Sequence, residues 1–150
     1  MHTVWEKKCF SFSEWEKTGL DVRVRSRLPH LQKDLSLLGS EFPDTLKGVE
    51  PEWTPRTFAE SVGMMYVLEG STLGGRILSM KIPSLFAGHV AAKCVHYFSG
   101  YGEKNEEMWS GFCDFLVSFG QSHPDLESEV ISGACMSFMA MRRALDVNKT

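Results

Sequence analysis

The chain lacks the features of a secreted, membrane-spanning or nucleic-acid-binding protein. It has a net charge of −3 and no run of basic residues, so we expect no nucleic acid partner. No apolar stretch approaches the roughly 18 residues that can span a bilayer, and residues 1–8 lack the apolar core of a signal peptide. We therefore expect a cytoplasmic protein without a membrane partner.

The chain also has few cysteines, and their spacing does not match a metal site. Cys9, Cys94, Cys113 and Cys135 are far apart and include no Cys-x-x-Cys pair. This spacing excludes a zinc ribbon and indicates no disulfide framework. We expect reduced, mostly buried thiols.

No β-hairpin signal and no internal repeat is present, whereas apolar residues recur at helical spacing along most of the chain. Thr54 and Pro55 predict a helix start, as cap and first helical residue, and Pro83 predicts another. The predicted helices cover residues 4–17, 22–38, 55–81, 83–97, 106–119 and 124–145, with a loop over 40–55. The fold class is therefore all-α, and we expect residues 1–150 to form one domain.

The most informative stretch is Gly63-Met-Met-Tyr-Val-Leu-Glu-Gly-Ser-Thr-Leu-Gly-Gly-Arg76, which places four glycines inside a predicted helix. Each glycine in a helix interior costs about 1 kcal/mol relative to alanine. Four of them cost roughly 4 kcal/mol, a large part of the roughly 5–15 kcal/mol that stabilises a small domain. At about 100° per residue, Gly63, Val67, Gly70 and Gly74 share one stripe, so we expect another surface to approach this backbone.

Three explanations fit that spacing. The glycines could let a second helix cross closely, or they could form a hinge or a helix break. Alternatively, bare backbone could lie against a ligand. The spacing alone favours helix packing, but the complete string changes the balance.

Tyr66-Val-Leu-Glu-Gly-Ser-Thr-Leu-Gly-Gly75 resembles the distal-helix motif of bacterial biliverdin-producing heme oxygenases, especially those associated with bacteriophytochromes. Tyr97-Phe-Ser-Gly-Tyr-Gly102, followed by Met108-Trp109, is similar to a second segment of that family. The stretch from Arg23 to Gly39 resembles the segment that precedes the distal helix. Together these matches cover most of residues 20–145.

The resemblance implies a heme oxygenase-like multihelical fold, in which heme lies between a proximal helix with a histidine ligand and a glycine-rich distal helix. It implies oxidative cleavage of heme, as both cofactor and substrate, to biliverdin, iron and carbon monoxide. A ferredoxin-type or flavin reductase donor would supply the electrons.

The resemblance also assigns roles to residues of the glycine string. Gly70, Gly74 and Ser71 would be the catalytic group over the iron, and Ser71 would help to hold water there. The heme-binding surface would consist of Gly63, Tyr66, Val67, Gly70, Gly74 and Gly75. Arg76 is expected to form an exposed salt bridge.

The proximal histidine is the point at which the chain departs from the family. That histidine stands on the first helix of the family fold, and too few residues precede Gly70 here for that helix and those that follow it. We therefore expect a fold that lacks the first helices, an N-terminally incomplete domain. His2, in His2-Thr-x-x-Glu6, is a candidate axial ligand. His89 and His96 share one face of the predicted helix 83–97, where ordinary histidines are favoured over a heme role.

Two alternatives to an active enzyme stay open. The chain could be a non-catalytic member of the fold that binds heme, a bilin or a partner protein after losing the axial ligand. It could also leave an apolar groove that a second copy, in a homo-oligomer, or a separate polypeptide fills.

Overall fold

The computed structural model describes residues 2–39 and 51–146, and every regular element within those ranges is helical. These ranges contain six α-helices: α1 (His2–Phe10), α2 (Leu28–Leu37), α3 (Phe58–Leu85), α4 (His96–Ser99), α5 (Asn105–Ser122) and α6 (Glu127–Asp146). Short 3-10 turns lie at Ser13–Lys17, Arg23–Arg25, Val90–Lys93, Gly102–Lys104 and Pro124–Leu126. The predicted all-α class is confirmed, and most of the predicted loop, residues 40–50, lies outside the described residues.

Helix α3 begins one turn later than predicted. Its N-cap is Thr57, whose Oγ1 accepts a hydrogen bond from the Glu60 backbone N–H at 3.2 Å. The Glu60 carboxylate accepts from the Arg56 N–H at 2.7 Å, so side chains satisfy two backbone donors at this end. The prediction of Thr54 and Pro55 was wrong because only Thr57 has a glutamate three residues later to complete the cap.

Pro83 does not open a new helix, because α3 continues through it to Leu85. Proline lacks the N–H that would bond the carbonyl one turn earlier. The helix nevertheless continues, since Pro83 lies exposed in the last turn and the Phe86 N–H still donates to the Ile82 carbonyl at 3.0 Å. The predicted helix over 83–97 is therefore wrong, and a 3-10 turn and the one-turn helix α4 replace it.

The first two predicted helices are each divided, whereas the last two are close to their predicted bounds. Residues 4–17 contain the end of α1 and a 3-10 turn, and residues 22–38 contain a 3-10 turn and α2. Pro29 lies in the first turn of α2, where its missing N–H breaks no helical bond. Glu106 and Glu107 lie in the first turn of α5, as predicted, where negative charge stabilises the helix end.

Helix α3 is the central element, because it contacts α1, α4, α5 and α6. The first half of α3 is buried in a core with aromatic side chains from its neighbours. Trp15 and Phe58 meet edge to face at 4.8 Å between ring centroids, and Phe58 and Phe119 at 5.8 Å. The core includes Trp5, Cys9, Trp15, Val62, Met64, Met65, Leu68, Phe112 and Phe119. This burial leaves the exposed surface of α3 mainly to the part of the helix that follows Met65.

The cysteines and the apolar character of the helices were also part of the sequence analysis. All four cysteines are free thiols, of which Cys9 and Cys94 are buried, Cys113 is half-buried and Cys135 is exposed. Among the helices of the described ranges, none combines the length and the apolar character needed to cross a membrane.

Candidate functional site

Two of the four glycines in the string are in close contact with other helices. A Cβ atom on Gly63 would lie 2.0 Å from the Val130 carbonyl oxygen and 2.6 Å from the Ala134 nitrogen, both in the backbone of α6. A Cβ on Gly75 would lie 2.6 Å from the Phe98 carbonyl oxygen of α4. At these two positions the glycine lets a neighbouring helix approach, which is the packing explanation.

The other two glycines face a ring and open space. A Cβ on Gly70 would be in ordinary contact with the Trp109 indole ring of α5, at 3.5 Å. A Cβ on Gly74 would meet no atom of residues 2–39 or 51–146 within 4 Å. The stripe is therefore covered by α6 at Gly63, bordered by an aromatic ring at Gly70 and uncovered at Gly74.

Apolar side chains surround this uncovered backbone. Tyr66, Leu73 and Ile77 are 39%, 41% and 52% exposed, and at helical spacing they lie on the same side of α3 as Gly70 and Gly74. We call these five residues the open face. The Tyr66 ring also contacts Trp109, with 5.6 Å between ring centroids. Val67, which the resemblance places on the heme surface, is buried instead.

Ser71 borders the open face, and its hydroxyl both donates and accepts one hydrogen bond. It donates to the Leu68 carbonyl at 2.7 Å, and Nη2 of Arg27 donates to its Oγ at 2.9 Å. The same guanidinium nitrogen also donates to the Leu68 carbonyl at 2.8 Å. Arg27 stands in the segment that resembles the family, but this contact could not be predicted from the sequence, because 44 residues separate Arg27 from Ser71.

A buried ion pair lies on the opposite side of the same turn. Nη1 of Arg25 donates to Glu69 at 2.5 Å, and the Tyr101 hydroxyl donates to the same carboxylate at 2.6 Å. Burial raises the pKa of Glu69, although the Tyr101 hydrogen bond and the positive charges of Arg25 and Arg27 oppose the rise. A glutamate in the middle of a largely apolar helix was the only sequence signal of this cluster.

His2, the candidate axial ligand, has partners for both ring nitrogens. Nε2 lies 3.0 Å from Glu6, and Nδ1 lies 3.1 Å from the Tyr97 hydroxyl. Burial lowers the pKa of His2, which favours the neutral imidazole. Burial works against ionisation of Glu6 too, yet hydrogen bonds from His2 and Ser26 lower the pKa of that carboxyl. A metal could bind His2 only if one of these contacts were given up.

The other histidines have local roles. His89 and His96 do not share a helix as predicted: Nδ1 of His89 accepts from the Ala91 N–H and caps a 3-10 turn, whereas His96 begins α4. Nδ1 of His96 lies 2.6 Å from the buried Asp34 carboxylate. His123 stacks on Phe119 at 4.6 Å between centroids. Within residues 2–39 and 51–146, no cluster of three or more His, Cys, Asp or Glu residues could hold a metal ion.

Arg76 behaves as expected from the sequence. Its guanidinium forms a 3.2 Å salt bridge with Glu106, and both side chains are largely exposed. Such a pair contributes little to stability, about 0–1 kcal/mol. It also directs Arg76 to α5 and not to the open face.

The fold and this site define an all-α protein whose central helix exposes glycine backbone within an apolar face. Over 130 residues the chain is 31% identical to the heme oxygenase of Xanthomonas campestris pv. campestris (strain 8004), covering 84% of this chain and 72% of that protein. The chain belongs to the heme oxygenase family. No protein-family model matches it, and no solved structure does. The family expected from the glycine string is confirmed, while the roles of the individual site residues stay predictions.

Proposed function

We propose that this protein binds heme against the open face of α3 and cleaves it oxidatively to biliverdin, iron and carbon monoxide. The observation that carries the proposal is Gly74, a glycine in a helix interior that no other part of the described protein covers. Family membership supports the same ligand. Heme would be both cofactor and substrate.

Packing among the described residues does not explain why position 74 is a glycine. Gly63 and Gly75 would clash with neighbouring backbone if they carried a Cβ, but Gly74 would not. It does not have a positive φ either, so its conformation does not require glycine. A residue that costs about 1 kcal/mol relative to alanine, with no benefit to the fold, fits a surface that a flat ligand must approach closely.

The rest of the open face suits an apolar, planar ligand. Tyr66, Leu73 and Ile77 present apolar surface around the glycine backbone, and the Trp109 ring borders it at Gly70. An exposed apolar patch of this kind is typical of a binding site. The five residues of the face include no carboxylate, imidazole, amine or guanidinium, so heme bound there would meet backbone, aromatic rings and water on this side.

When bound, heme would supply the iron at which oxygen is activated, with electrons from a separate ferredoxin-type or flavin reductase donor. The contribution of the protein would be to hold the ring flat, to exclude bulk water with apolar side chains, and to place the Ser71 hydroxyl at the edge of the face. Because Ser71 is held by Arg27 and Leu68, its oxygen has a fixed position.

His2 stays our candidate for the axial ligand, and its geometry makes the proposal specific. Coordination through Nδ1 would require the imidazole to leave Tyr97, and coordination through Nε2 would require it to leave Glu6. A His2→Ala variant should therefore lose the axial histidine signature of the ferric heme spectrum. Unchanged axial ligation in that variant would exclude His2.

A non-catalytic member of the family is the second candidate function. The engagement of both His2 nitrogens favours it, because a protein that binds heme or bilin without a histidine ligand would not turn it over. Such a protein would form a spectroscopically distinct complex but would release neither biliverdin nor carbon monoxide with ascorbate or a reductase.

The experiment that tests the proposal is a heme titration followed by single turnover, on the wild type and two glycine variants. Gly74→Leu places a side chain on the open face where its Cβ meets none of the described residues within 4 Å, so the fold should survive. Gly120→Leu is the matched control, because Gly120 is also an uncovered glycine, on α5. We expect Gly74→Leu to weaken heme binding about tenfold or more, equivalent to about 1.4 kcal/mol, and Gly120→Leu to bind like the wild type. Equal affinity for all three proteins would contradict the proposed face.

A further inference from the structure

Arg27 is an unusual residue next to the open face. Its side chain is only 4% exposed, and its Nη2 atom donates to two oxygen atoms of α3, the Leu68 carbonyl at 2.8 Å and the Ser71 hydroxyl at 2.9 Å. Both oxygens belong to the turn that contains Gly70. Arg27 therefore fixes the polar atoms beside the glycine backbone from a different part of the chain.

The charge of Arg27 has no close counterion among the described residues. The guanidinium forms no ion pair within 4.0 Å, whereas Arg25, two residues earlier, pairs with Glu69 at 2.5 Å. The hydrogen bonds of the Arg27 guanidinium go to neutral oxygens, and its cation lies over the Tyr97 ring, 5.1 Å from the centroid. Burial of a charge is costly unless it is paired, so an unpaired buried arginine at this position needs a reason beyond stability.

The Glu6 and Glu69 carboxylates lie near Arg27 but form no salt bridge with its guanidinium, although the positive charge of Arg27 opposes the rise in the pKa of Glu69. The Glu6 carboxylate accepts from the backbone N–H of Arg27, at 3.2 Å, and not from its guanidinium. The Glu69 carboxylate is held by Arg25 and Tyr101 on the other side of α3. The titratable and charged groups that surround Arg27 are thus His2, Glu6, Arg25, Glu69, Tyr97 and Tyr101.

We infer that Arg27 is a positioning residue of the heme site, which fixes the Ser71 hydroxyl and places a positive charge, without a salt-bridge partner, beside the turn that contains Gly70 to stabilise negative charge on a ligand bound at the open face. This inference rests on the proposed function, because it assigns a role toward heme bound at the open face. A positive charge close to the site favours the deprotonated form of a water bound there. The Ser71 hydroxyl, which donates to Leu68, would in turn offer such a water a fixed oxygen acceptor.

The test separates the charge of Arg27 from its hydrogen bonds. Arg27→Gln removes the charge but keeps an N–H donor for Leu68, and Arg27→Lys keeps the charge but loses the planar fork. The readout is the pH midpoint at which the ferric heme complex changes from its acid to its alkaline absorption spectrum. Arg76→Gln is the control, because Arg76 is an exposed arginine on α3, the helix that carries the open face.

We expect Arg27→Gln to raise this midpoint by about one pH unit, Arg27→Lys to leave it near the wild-type value, and Arg76→Gln to have no effect. A role confined to stability would lower the unfolding midpoint of both Arg27 variants and leave the spectral transition in place, which would overturn the inference. Circular dichroism of each apo variant establishes folding first. If Arg27→Gln does not fold, Arg27→Met and Ser71→Ala replace it in the experiment. An unchanged spectral midpoint in folded Arg27→Met, or in Ser71→Ala, would again overturn the inference.

Different results would refute the proposed function and the inference about Arg27. If the wild type takes up no heme in the titration, the proposed function is wrong and the inference falls with it. If the wild type binds heme and the Arg27 variants keep the wild-type spectral midpoint, only the inference about Arg27 is wrong.

Discussion

Alanine substitutions at Gly63 and at Gly74 of α3 should change the free energy of unfolding in opposite directions. A Cβ at Gly63 would lie 2.0 Å from the Val130 carbonyl oxygen and 2.6 Å from the Ala134 nitrogen. Both atoms are backbone, so they cannot turn away as a flexible side chain would, and α6 must shift. Overpacking costs about 1–3 kcal/mol and occasionally more, and a clash with backbone belongs at or above the upper end of that range.

The higher helix propensity of alanine partly offsets this cost at Gly63, and at Gly74 it is the main effect on stability. Replacing a helical glycine by alanine gains about 1 kcal/mol, so we expect Gly63→Ala to lose a net of about 2 kcal/mol or more. In Gly74→Ala the new Cβ meets nothing within 4 Å in the described part of the chain, and we expect this variant to gain up to about 1 kcal/mol of stability. The two variants should therefore differ by about 3 kcal/mol in the free energy of unfolding.

Urea unfolding of the apo proteins, followed by circular dichroism, measures this difference. With a slope of about 1–3 kcal/mol per molar urea, 3 kcal/mol separates the two midpoints by at least about 1 M. Gly133→Ala is the matched control at the same crossing, because its Cβ would lie 2.2 Å from the Glu60 carbonyl oxygen, and it should resemble Gly63→Ala. If Gly63→Ala unfolds at or above the wild-type midpoint, the close crossing of α3 and α6 is wrong.

Three further predictions use the buried polar groups. Glu69→Gln should destabilise the protein by about 3 kcal/mol or more in urea unfolding, because it leaves Arg25 buried without its counterion. Arg76→Ala, which breaks an exposed pair, should change stability by no more than about 1 kcal/mol. Equal effects of the two substitutions would contradict the difference in burial between the two ion pairs. Stability should fall as pH drops below about 6.5, because burial lowers the pKa of His2 and the unfolded chain then binds the proton more readily. His2→Gln should flatten the pH dependence of the urea midpoint. An unchanged pH dependence in this variant would show that His2 is not responsible. In the native protein a thiol reagent should modify the exposed Cys135 well before Cys9, because Cys9 is buried and burial raises the pKa of its thiol. Peptide mapping that finds Cys9 modified first would contradict the packing of α1.

Helical periodicity predicted the class of fold and the approximate positions of α5 and α6, because those helices have one apolar face and clear start signals. It placed the start of α3 at Thr54, since a threonine followed by proline is a start signal in its own right. The sequence Thr57-Phe-Ala-Glu60 carried the better signal, a cap with a glutamate three residues later. Pro83 was misread because a proline near the end of a long helix carries the same local signal as one at a start.

The glycine string shows why a stripe on one helix does not define a single surface. Gly63, Gly70 and Gly74 share a stripe by angle, but the elements that cover it change along α3, from the α6 backbone to the Trp109 ring to open space. Periodicity gives direction around a helix axis and says nothing about what lies beyond each turn. The packing explanation therefore applies to Gly63 and Gly75, while the ligand explanation keeps its physical basis at Gly70 and Gly74.

The polar network around the site could not be predicted from the sequence, because its contacts join distant residues. Arg25 and Glu69 are 44 residues apart, and His2 and Tyr97 are 95 apart. Local propensity carries no information about such pairs. The only indication was the presence of charged residues in segments that otherwise read as buried.

The most direct measurement of the central claim is an amide NMR spectrum of the protein with and without zinc protoporphyrin, a diamagnetic analogue of heme. A porphyrin ring stacked on the open face would shift the amide signals of Gly70 and Gly74 by its ring current, and would leave those of Gly63 and Gly75, which face other helices, much less affected. Largest shifts at Gly120 or elsewhere, away from α3, would contradict the account.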